Sequence, residues 1–156
     1  MIRLTLPYPI SANRYWATRV IPGKGPRKAQ AMTYVTPEAK AYKAEVQRLA
    51  MAAGWHAPII GRYAMHIQLY PHRPVDWKTR QRKFGAAWDD TVQCIDLGNS
   101  EKVLSDALKD VVMPDDKWGR RILLERMEPD GEARVVVTIT AMPVAQAQAD
   151  LLGEAA

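Results

Sequence analysis

The chain has 156 residues, 47% of them hydrophobic, which is enough for one domain with a sizeable core. Its single cysteine, Cys94, excludes an intrachain disulfide and a cysteine-based zinc site, so any metal must bind oxygen or histidine ligands. A formal net charge of +5 favours a polyanionic partner, and the lack of a long apolar run predicts a cytoplasmic protein without a membrane span.

The amino-terminal part predicts one strand followed by a basic loop. Residues 2–6 alternate between apolar and polar side chains, as in a strand, and Pro7 ends the pattern. The loop is expected to run to about Thr33. Its basic part, about residues 17–33, combines Gly23, Gly25 and Pro26 with cations. This composition predicts a mobile segment that faces solvent or phosphate.

A helix and a central strand are expected next. Thr36 is a typical helix cap, Pro37 suits the first helical position, and Gly54 ends the helical pattern. Residues 63–69 then alternate with period two, which predicts a strand of the central sheet with one buried face.

A strongly basic segment, about residues 71–91, is predicted to be a long loop. It holds five Lys or Arg between Arg73 and Lys83, and two tryptophans. Cations mixed with aromatic rings are typical of nucleic-acid contacts and favour that interpretation, and a solvated insertion is the alternative. The candidate DNA-binding residues here are Arg73, Lys78, Arg80, Arg82 and Lys83. Further candidates are Asn13, Arg14 and Tyr15, which follow a proline-rich turn after the first strand and could contact phosphates or stack on an exposed base, or could be ordinary loop and core residues.

The remaining pattern predicts one helix and two strands. The helix should run from Asn99, as its cap, to about Val112, and the strands should cover about 121–127 and 133–142. Residues 1–142 would then form one domain. The Ala-rich tail, 143–156, is expected to be a short helix or disordered.

The acids around the last helix have ordinary interpretations when taken alone. Asp96 would favour the positive end of the helix, and Asp115 and Asp116 would form a solvated turn. Lys102 would be a solvated helix lysine, with Asp106 as its ion-pair partner four residues on. A helix of about 13 residues spans roughly 20 Å, so only a compact fold could bring acids beyond its two ends together.

Three segments resemble the RusA family of Holliday-junction resolvases. Residues 96–108 with Asp115 and Asp116 resemble its Asp-x-Asp-Asn element, its helical Lys, its Asp-Ala-Leu and its Asp-Asp pair. Residues 6–16 resemble the family's opening, and residues 34–42 resemble its first helix start. The resemblance covers most of residues 1–142.

The resemblance implies an α/β (α+β) fold, with a mixed sheet of about four strands and two main helices, in an intertwined homodimer. It implies an endonuclease that resolves four-way DNA junctions by paired symmetric cuts with Mg²⁺, for which Mn²⁺ could substitute. A hard cation of this kind prefers oxygen ligands and stabilises charge on a phosphate. The implied catalytic residues are Asp96, Lys102, Asp115 and Asp116, and the implied metal ligands are Asp96, Glu101, Asp115 and Asp116.

Gly98 departs from the family pattern. It occupies the position of the second acid in Asp-x-Asp-Asn and has no side chain to bind metal. Glu101, in the first turn of the same helix, is the nearest substitute. A site with fewer acids and a loss of catalysis remain alternatives. The chain could therefore also be a broader nuclease for branched or flapped DNA, or a junction-binding protein without catalysis.

Overall fold

The computed structural model describes residues 1–145 of the chain. Its strands and helices follow one another in the order β1 (Ile2–Pro7), α1 (Ala12–Tyr15), β2 (Trp16–Ile21), β3 (Gln30–Val35), α2 (Pro37–Ala52), β4 (Tyr63–Tyr70), α3 (Trp77–Phe84), α4 (Leu97–Leu108), β5 (Gly119–Arg126) and β6 (Arg134–Ala141). Two 3-10 turns, Gly85–Thr91 and Asp116–Trp118, precede α4 and β5.

A mixed four-stranded sheet forms the centre of the fold, in the order β1-β6-β4-β5. Strand β6 is antiparallel to both of its neighbours, and β4 and β5 are parallel. Strand β4 lies inside the sheet as expected, since Ile67 pairs with Val137 on one side and Leu124 on the other. The mixed α+β fold predicted from the sequence is confirmed.

Helix α2 begins where the sequence predicted. The Thr36 hydroxyl accepts a hydrogen bond from the Ala39 N–H at 3.2 Å, and Pro37 occupies the first turn. Ala39, Val46 and Ala50 form its fully buried face, which belongs to the hydrophobic core on the sheet. Burial of this stripe, rather than helix propensity alone, stabilises such a helix.

Helix α4 differs from the prediction at both ends. Its cap is Asp96 rather than Asn99, because the Asp96 carboxylate accepts a hydrogen bond from the Asn99 N–H at 3.1 Å. It ends at Leu108, four residues earlier than expected. Val111 and Val112, which extended the helical pattern, follow the end of the helix, and Val112 is nonetheless fully buried.

The prediction of a loop over residues 17–33 was wrong. This region contains β2 and β3, which pair as an antiparallel hairpin from Trp16 opposite Val35 to Ile21 opposite Gln30. Its β-branched and aromatic residues favour extended backbone, whereas the glycines and prolines that suggested a loop occupy only the tip.

The prediction of a loop over residues 71–91 was also wrong. Arg and Lys are good helix formers, and they fill α3. An ion pair between Arg80 and Asp76, at 2.9 Å and four residues apart, supports the helix. Trp88 anchors the following 3-10 turn, since it is 2% exposed and its Nε1–H donates to the Glu128 carboxylate at 2.8 Å.

Two further sequence predictions concern a membrane-spanning helix and the carboxyl-terminal tail. Over residues 1–145, no helix combines the length and the apolar character that crossing a bilayer requires. The predicted Ala-rich tail, 143–156, lies outside the described residues from position 146 onward.

Candidate active site on helix α4

The polar face of α4 forms one wall of a cavity of about 290 Å³, which we call the α4 cavity. The apolar stripe of the helix is turned into the core, so its opposite face is left to polar side chains. The cavity is lined by Trp16, Glu101, Lys102, Ser105, Asp106, Lys109 and Asp116.

A tight reversal after α4 carries Asp116 back to the helix. Asp110 adopts a left-handed backbone conformation with φ 69°, which aspartate tolerates better than most residues. Its N–H donates to the Met113 carbonyl at 2.8 Å, and Lys109 bridges to Met113. Asp116 therefore faces the same cavity as Glu101, although the two acids are fifteen positions apart in sequence.

Glu101 and Lys102 enter the cavity from neighbouring positions of α4. The Glu101 carboxylate accepts a hydrogen bond from the Ser105 hydroxyl at 2.7 Å, one helical turn on. Lys102 is exposed, and its ammonium forms no ion pair with any acid of residues 1–145. The cavity thus presents a positioned carboxylate beside an uncompensated positive charge.

Asp106 connects the cavity to α1 and α2. The fully buried Tyr15 donates its hydroxyl to the Asp106 carboxylate, and the Lys43 ammonium lies 3.6 Å from the same oxygen. Burial, and then the bond to Asp106, raise the pKa of Tyr15. The expected ion pair between Asp106 and Lys102 does not form, because Lys43 and Tyr15 hold the carboxylate instead.

Asp115 stands beside the cavity rather than in its lining. The Lys117 N–H donates to its carboxylate at 3.0 Å, and the Lys109 ammonium lies 3.7 Å away. The Lys117 N–H, followed by a hydrogen bond with Asp116, lowers the pKa of Asp115 below its usual range. Asp115 therefore stays ionised at a lower pH than an ordinary aspartate.

The pKa of Tyr63 is affected by the negative charge of the acids in and beside the α4 cavity. Burial, and then the charges of Asp116, Glu101 and Asp115 in decreasing order, together raise the pKa of Tyr63 to about 12. Three of the acids named by the sequence thus act on one buried phenol at the start of β4.

Asp96 lies in different surroundings. It lines a second cavity, of about 400 Å³, with Tyr8, Cys94 and Asn99 among its neighbours. Its carboxylate is committed to the first turn of α4, as described above. A Cβ at Gly98 would lie 3.2 Å from the Asp96 Oδ1 atom, a tight contact that glycine avoids. The missing side chain at Gly98 therefore leaves room for Asp96 in this capping position.

The donor chemistry of the α4 cavity suits a hard divalent cation. Glu101 and Asp116 offer carboxylate oxygens to a common space, with Asp106 beside them, and magnesium prefers oxygen ligands. As the side chains stand in residues 1–145, no three Asp, Glu, His or Cys residues converge closely enough to hold an ion. The residue types fit the ion, and their side chains would have to close around it.

Of the candidate DNA-binding residues near the amino terminus, two are accessible. Asn13 and Arg14 are exposed, and Arg14 forms an ion pair with Glu38. Tyr15 is fully buried, and its burial argues against a direct DNA contact. Tyr15 instead fixes the end of α1 against α4.

The five candidates around α3 divide by their intramolecular partners. Arg80 is held by Asp76 and by the Thr91 carbonyl at 3.0 Å, and Arg73 lies over the Trp77 ring with its guanidinium 4.8 Å from the centroid. Lys78, Arg82 and Lys83 form no ion pair in the described part of the chain, although the Lys78 ammonium lies 5.7 Å from the Trp77 ring centroid and the Lys83 ammonium lies 5.2 Å from the Phe84 ring centroid. Those three cations remain available to a phosphate.

Sequence reasoning did not single out four residues that the fold brings to the site: Trp16, Tyr63, Ser105 and Lys109. Ser105 and Lys109 follow Glu101 at intervals of four, so helical periodicity could have placed them on its face. Trp16 is the last residue of the segment 6–16 and directly follows the candidate residues Asn13, Arg14 and Tyr15. Tyr63 belonged to a predicted buried face, and nothing in the sequence links it to the acids.

Comparison with known proteins gives one family. No curated protein sequence matches the chain significantly. The sequence model of the family described as Endodeoxyribonuclease RusA matches residues 7–140, which include the α4 cavity and strands β2 to β5, and β6 except for its last residue, whereas β1 lies outside the match apart from Pro7. The chain therefore belongs to the RusA endodeoxyribonuclease family.

Proposed function

We propose that this chain is a Mg²⁺-dependent endonuclease that resolves four-way DNA junctions by paired symmetric cuts, with the α4 cavity as its active site. Membership of the RusA family supports a nuclease that acts on branched DNA. The single observation that carries the assignment to the cavity is the meeting of Glu101, Lys102 and Asp116 in one space.

Each cavity residue has a role that follows from its placement. Glu101 and Asp116, with Asp115 beside them, would hold Mg²⁺, which when bound supplies positive charge to the phosphate and activates water. The Ser105 hydroxyl orients the Glu101 carboxylate by its hydrogen bond. Lys102, which forms no ion pair within residues 1–145, would place its ammonium against a phosphate oxygen and stabilise the charge that develops there.

Asp96 enters the proposal on the family resemblance alone. It matches the first acid of the family motif, but its carboxylate is bonded to the Asn99 N–H. A metal-binding role requires that carboxylate to leave the helix cap. An asparagine at this position would retain the cap and remove the charge, which makes the two roles separable.

We propose a homodimer as the active form. A four-way junction has two-fold symmetry, and a two-fold dimer places one active site on each of the two strands that are cut. Size-exclusion chromatography with light scattering tests this directly. A protein that stays monomeric on the junction while cutting both strands in concert would contradict it.

A junction-binding protein without catalysis is the second candidate, and Gly98 favours it. The glycine removes one family carboxylate, and within residues 1–145 no three acids lie close enough together to hold an ion. A third possibility, a nuclease for branched or flapped DNA in general, shares the same cavity and differs only in substrate.

One experiment separates the three functions. The protein is incubated with a four-way junction, a flap and a linear duplex of the same sequence, with Mg²⁺ or with EDTA. We expect Mg²⁺-dependent cleavage of the junction at symmetric positions and little cleavage of the duplex. Equal cutting of junction and flap would assign the broader nuclease. Binding of the junction with no cleavage of any substrate would assign the non-catalytic protein.

A further inference from the structure

The β2–β3 hairpin stands apart from the core of the fold. Every residue from 18 to 34 is exposed, and outside its own pairing the hairpin packs chiefly on α1 at its root. A two-stranded hairpin by itself is marginally stable in water. An arm of this kind gains stability from whatever covers it.

The charge of the hairpin is of one sign. Residues 16–35 contain the cations Arg19, Lys24, Arg27 and Lys28 and have no Asp or Glu. Three of these cations line a concavity of about 560 Å³ at the tip, together with Ile21, Pro22, Gly23 and Gln30. Within residues 1–145 none of the three forms an ion pair. The tip is therefore a concave surface with uncompensated positive charge.

The sequence specifies the shape of this tip. A Cβ at Gly23 would lie 2.0 Å from the Arg27 carbonyl oxygen, so only glycine fits there. Gly25 adopts φ +61°, a conformation that side chains disfavour, and the Arg27 N–H donates to the Lys24 carbonyl at 3.3 Å. The chain turns so that the side chains of Lys24, Arg27 and Lys28 surround one space.

The root of the hairpin is fixed at the α4 cavity. Trp16, the first residue of β2, lines that cavity. The Thr36 N–H donates to the Tyr15 carbonyl at 2.9 Å, and the Thr36 hydroxyl donates to the Arg14 carbonyl at 2.7 Å, so both ends of the hairpin are tied down. Strands of six residues extend roughly 20 Å, which places the tip about that far from the cavity.

We propose that the hairpin tip, formed by Lys24, Arg27 and Lys28, binds the phosphodiester backbone of the DNA whose scissile phosphate enters the α4 cavity. This inference rests on the proposed function for its substrate. Three cations that form no ion pair in the described part of the chain surround one concavity and complement a phosphate backbone. The fixed root holds the tip roughly 20 Å from the candidate site, within reach of the same DNA. A second copy of the hairpin is a poor occupant, because two arms of like charge repel each other.

The test compares two triple variants in DNA binding. The tip variant is Lys24→Ala, Arg27→Ala and Lys28→Ala. The matched control, Arg3→Ala, Lys40→Ala and Arg62→Ala, removes the same charge from exposed positions outside the hairpin. Affinities for a labelled four-way junction and a linear duplex are measured by fluorescence anisotropy in EDTA over a range of KCl concentrations, with circular dichroism and light scattering on every protein.

The two variants should differ in both affinity and salt dependence. Loss of three phosphate contacts should weaken DNA binding at least about tenfold and reduce the slope of log K against log salt by roughly 2.7. The control should keep the wild-type slope. Equal effects of both variants would overturn the inference, and so would a tip variant that becomes monomeric, because the hairpin would then bind a second copy of the chain.

The same experiment distinguishes a failure of the proposed function from a failure of the inference about the hairpin tip. Wild-type protein that binds duplex as well as junction would count against junction resolution, while the effect of the tip variant on duplex affinity would still decide the inference. Wild-type protein that binds neither DNA would overturn both.

Discussion

The two ends of the motif on α4 hold their acids in different ways. At the amino-terminal end, Asp96 satisfies the first turn of the helix and faces a cavity shared with Tyr8 and Cys94. Beyond the carboxyl-terminal end, Asp116 is folded back to meet Glu101 and Lys102. Asp96 and Asp116 thus belong to one sequence motif but lie in different cavities. The surroundings of each carboxylate, rather than its spacing in the motif, suggest whether it caps the helix or faces the candidate site.

The largest expected effect is at the Asp116 end. Asp116→Asn removes a charge from the α4 cavity, and junction cleavage in Mg²⁺ should fall roughly 100- to 1,000-fold under single-turnover conditions. Asp110→Asn is the matched control, because Asp110 is an exposed neighbour outside the cavity lining and asparagine tolerates its positive φ. Asp116→Asn protein with the activity of the control would remove the cavity from the mechanism.

Two substitutions of Asp96 separate the effect of its negative charge on cleavage from its effect on the helix cap. Asp96→Asn should keep the helix cap and the stability of the wild type, yet lose cleavage if the carboxylate serves the metal. Asp96→Ala should lose cleavage and also about 1 kcal/mol of unfolding free energy, because the Asn99 N–H loses its partner. Urea unfolding and junction cleavage are measured on both. Wild-type cleavage by Asp96→Asn would leave Asp96 as a cap only.

Gly98 and Glu101 provide the next test. Glu101→Gln should lower junction cleavage at least about tenfold, because it removes the charge of a proposed metal ligand, and loss of a group that only orients such a ligand already costs roughly 10- to 100-fold. Adding Gly98→Asp restores a carboxylate where the family has one and should recover part of the lost activity. Any side chain at position 98 places a Cβ atom 3.2 Å from the Asp96 Oδ1 atom and so crowds the helix cap. Gly98→Ala combined with Glu101→Gln therefore controls for this effect on the cap without adding a carboxylate. Full activity of Glu101→Gln would show that Glu101 is no substitute for the missing acid.

The smallest expected effect is on the titration of Tyr63. Its pKa is raised from 10.0 to about 12, so the folded state holds the phenolic proton more tightly than the unfolded state. That contribution to stability is complete below pH 10 and is lost as the pH rises towards 12. Absorbance titration, with Tyr63→Phe to isolate the signal, should give a lower pKa for Tyr63 in Asp116→Asn. An unchanged pKa would place Asp116 too far away to act on Tyr63.

The fold could be predicted from the sequence where burial imposes a clear period. The alternation from Tyr63 to Leu69 and the Thr36-Pro37 start gave β4 and α2 with nearly correct ends. The segments 17–33 and 71–91 were mistaken for loops because the elements they contain bury little. All of α3 is at least partly exposed, so it lacks the buried stripe that marks a helix, and only Trp88 beyond it is anchored in the fold.

The candidate site could be predicted in its composition but not in its geometry. The acids and the lysine were identified from the motif, and periodicity placed Glu101 and Lys102 on one helix. The return of Asp116 depends on a reversal at Asp110, whose positive φ has no distinctive sequence signal. The capping choice between Asp96 and Asn99 was equally open, because both residue types are favoured at that position.

The central claim is that the chemistry takes place in the cavity shared by Glu101, Lys102 and Asp116. Crystals soaked with Mn²⁺ test it most directly, because the anomalous signal of the ion identifies the bound position. We predict an ion between the carboxylates of Glu101 and Asp116, and no such ion in Asp116→Asn crystals. Mn²⁺ bound only in the second cavity, away from Glu101 and Asp116, would contradict the account.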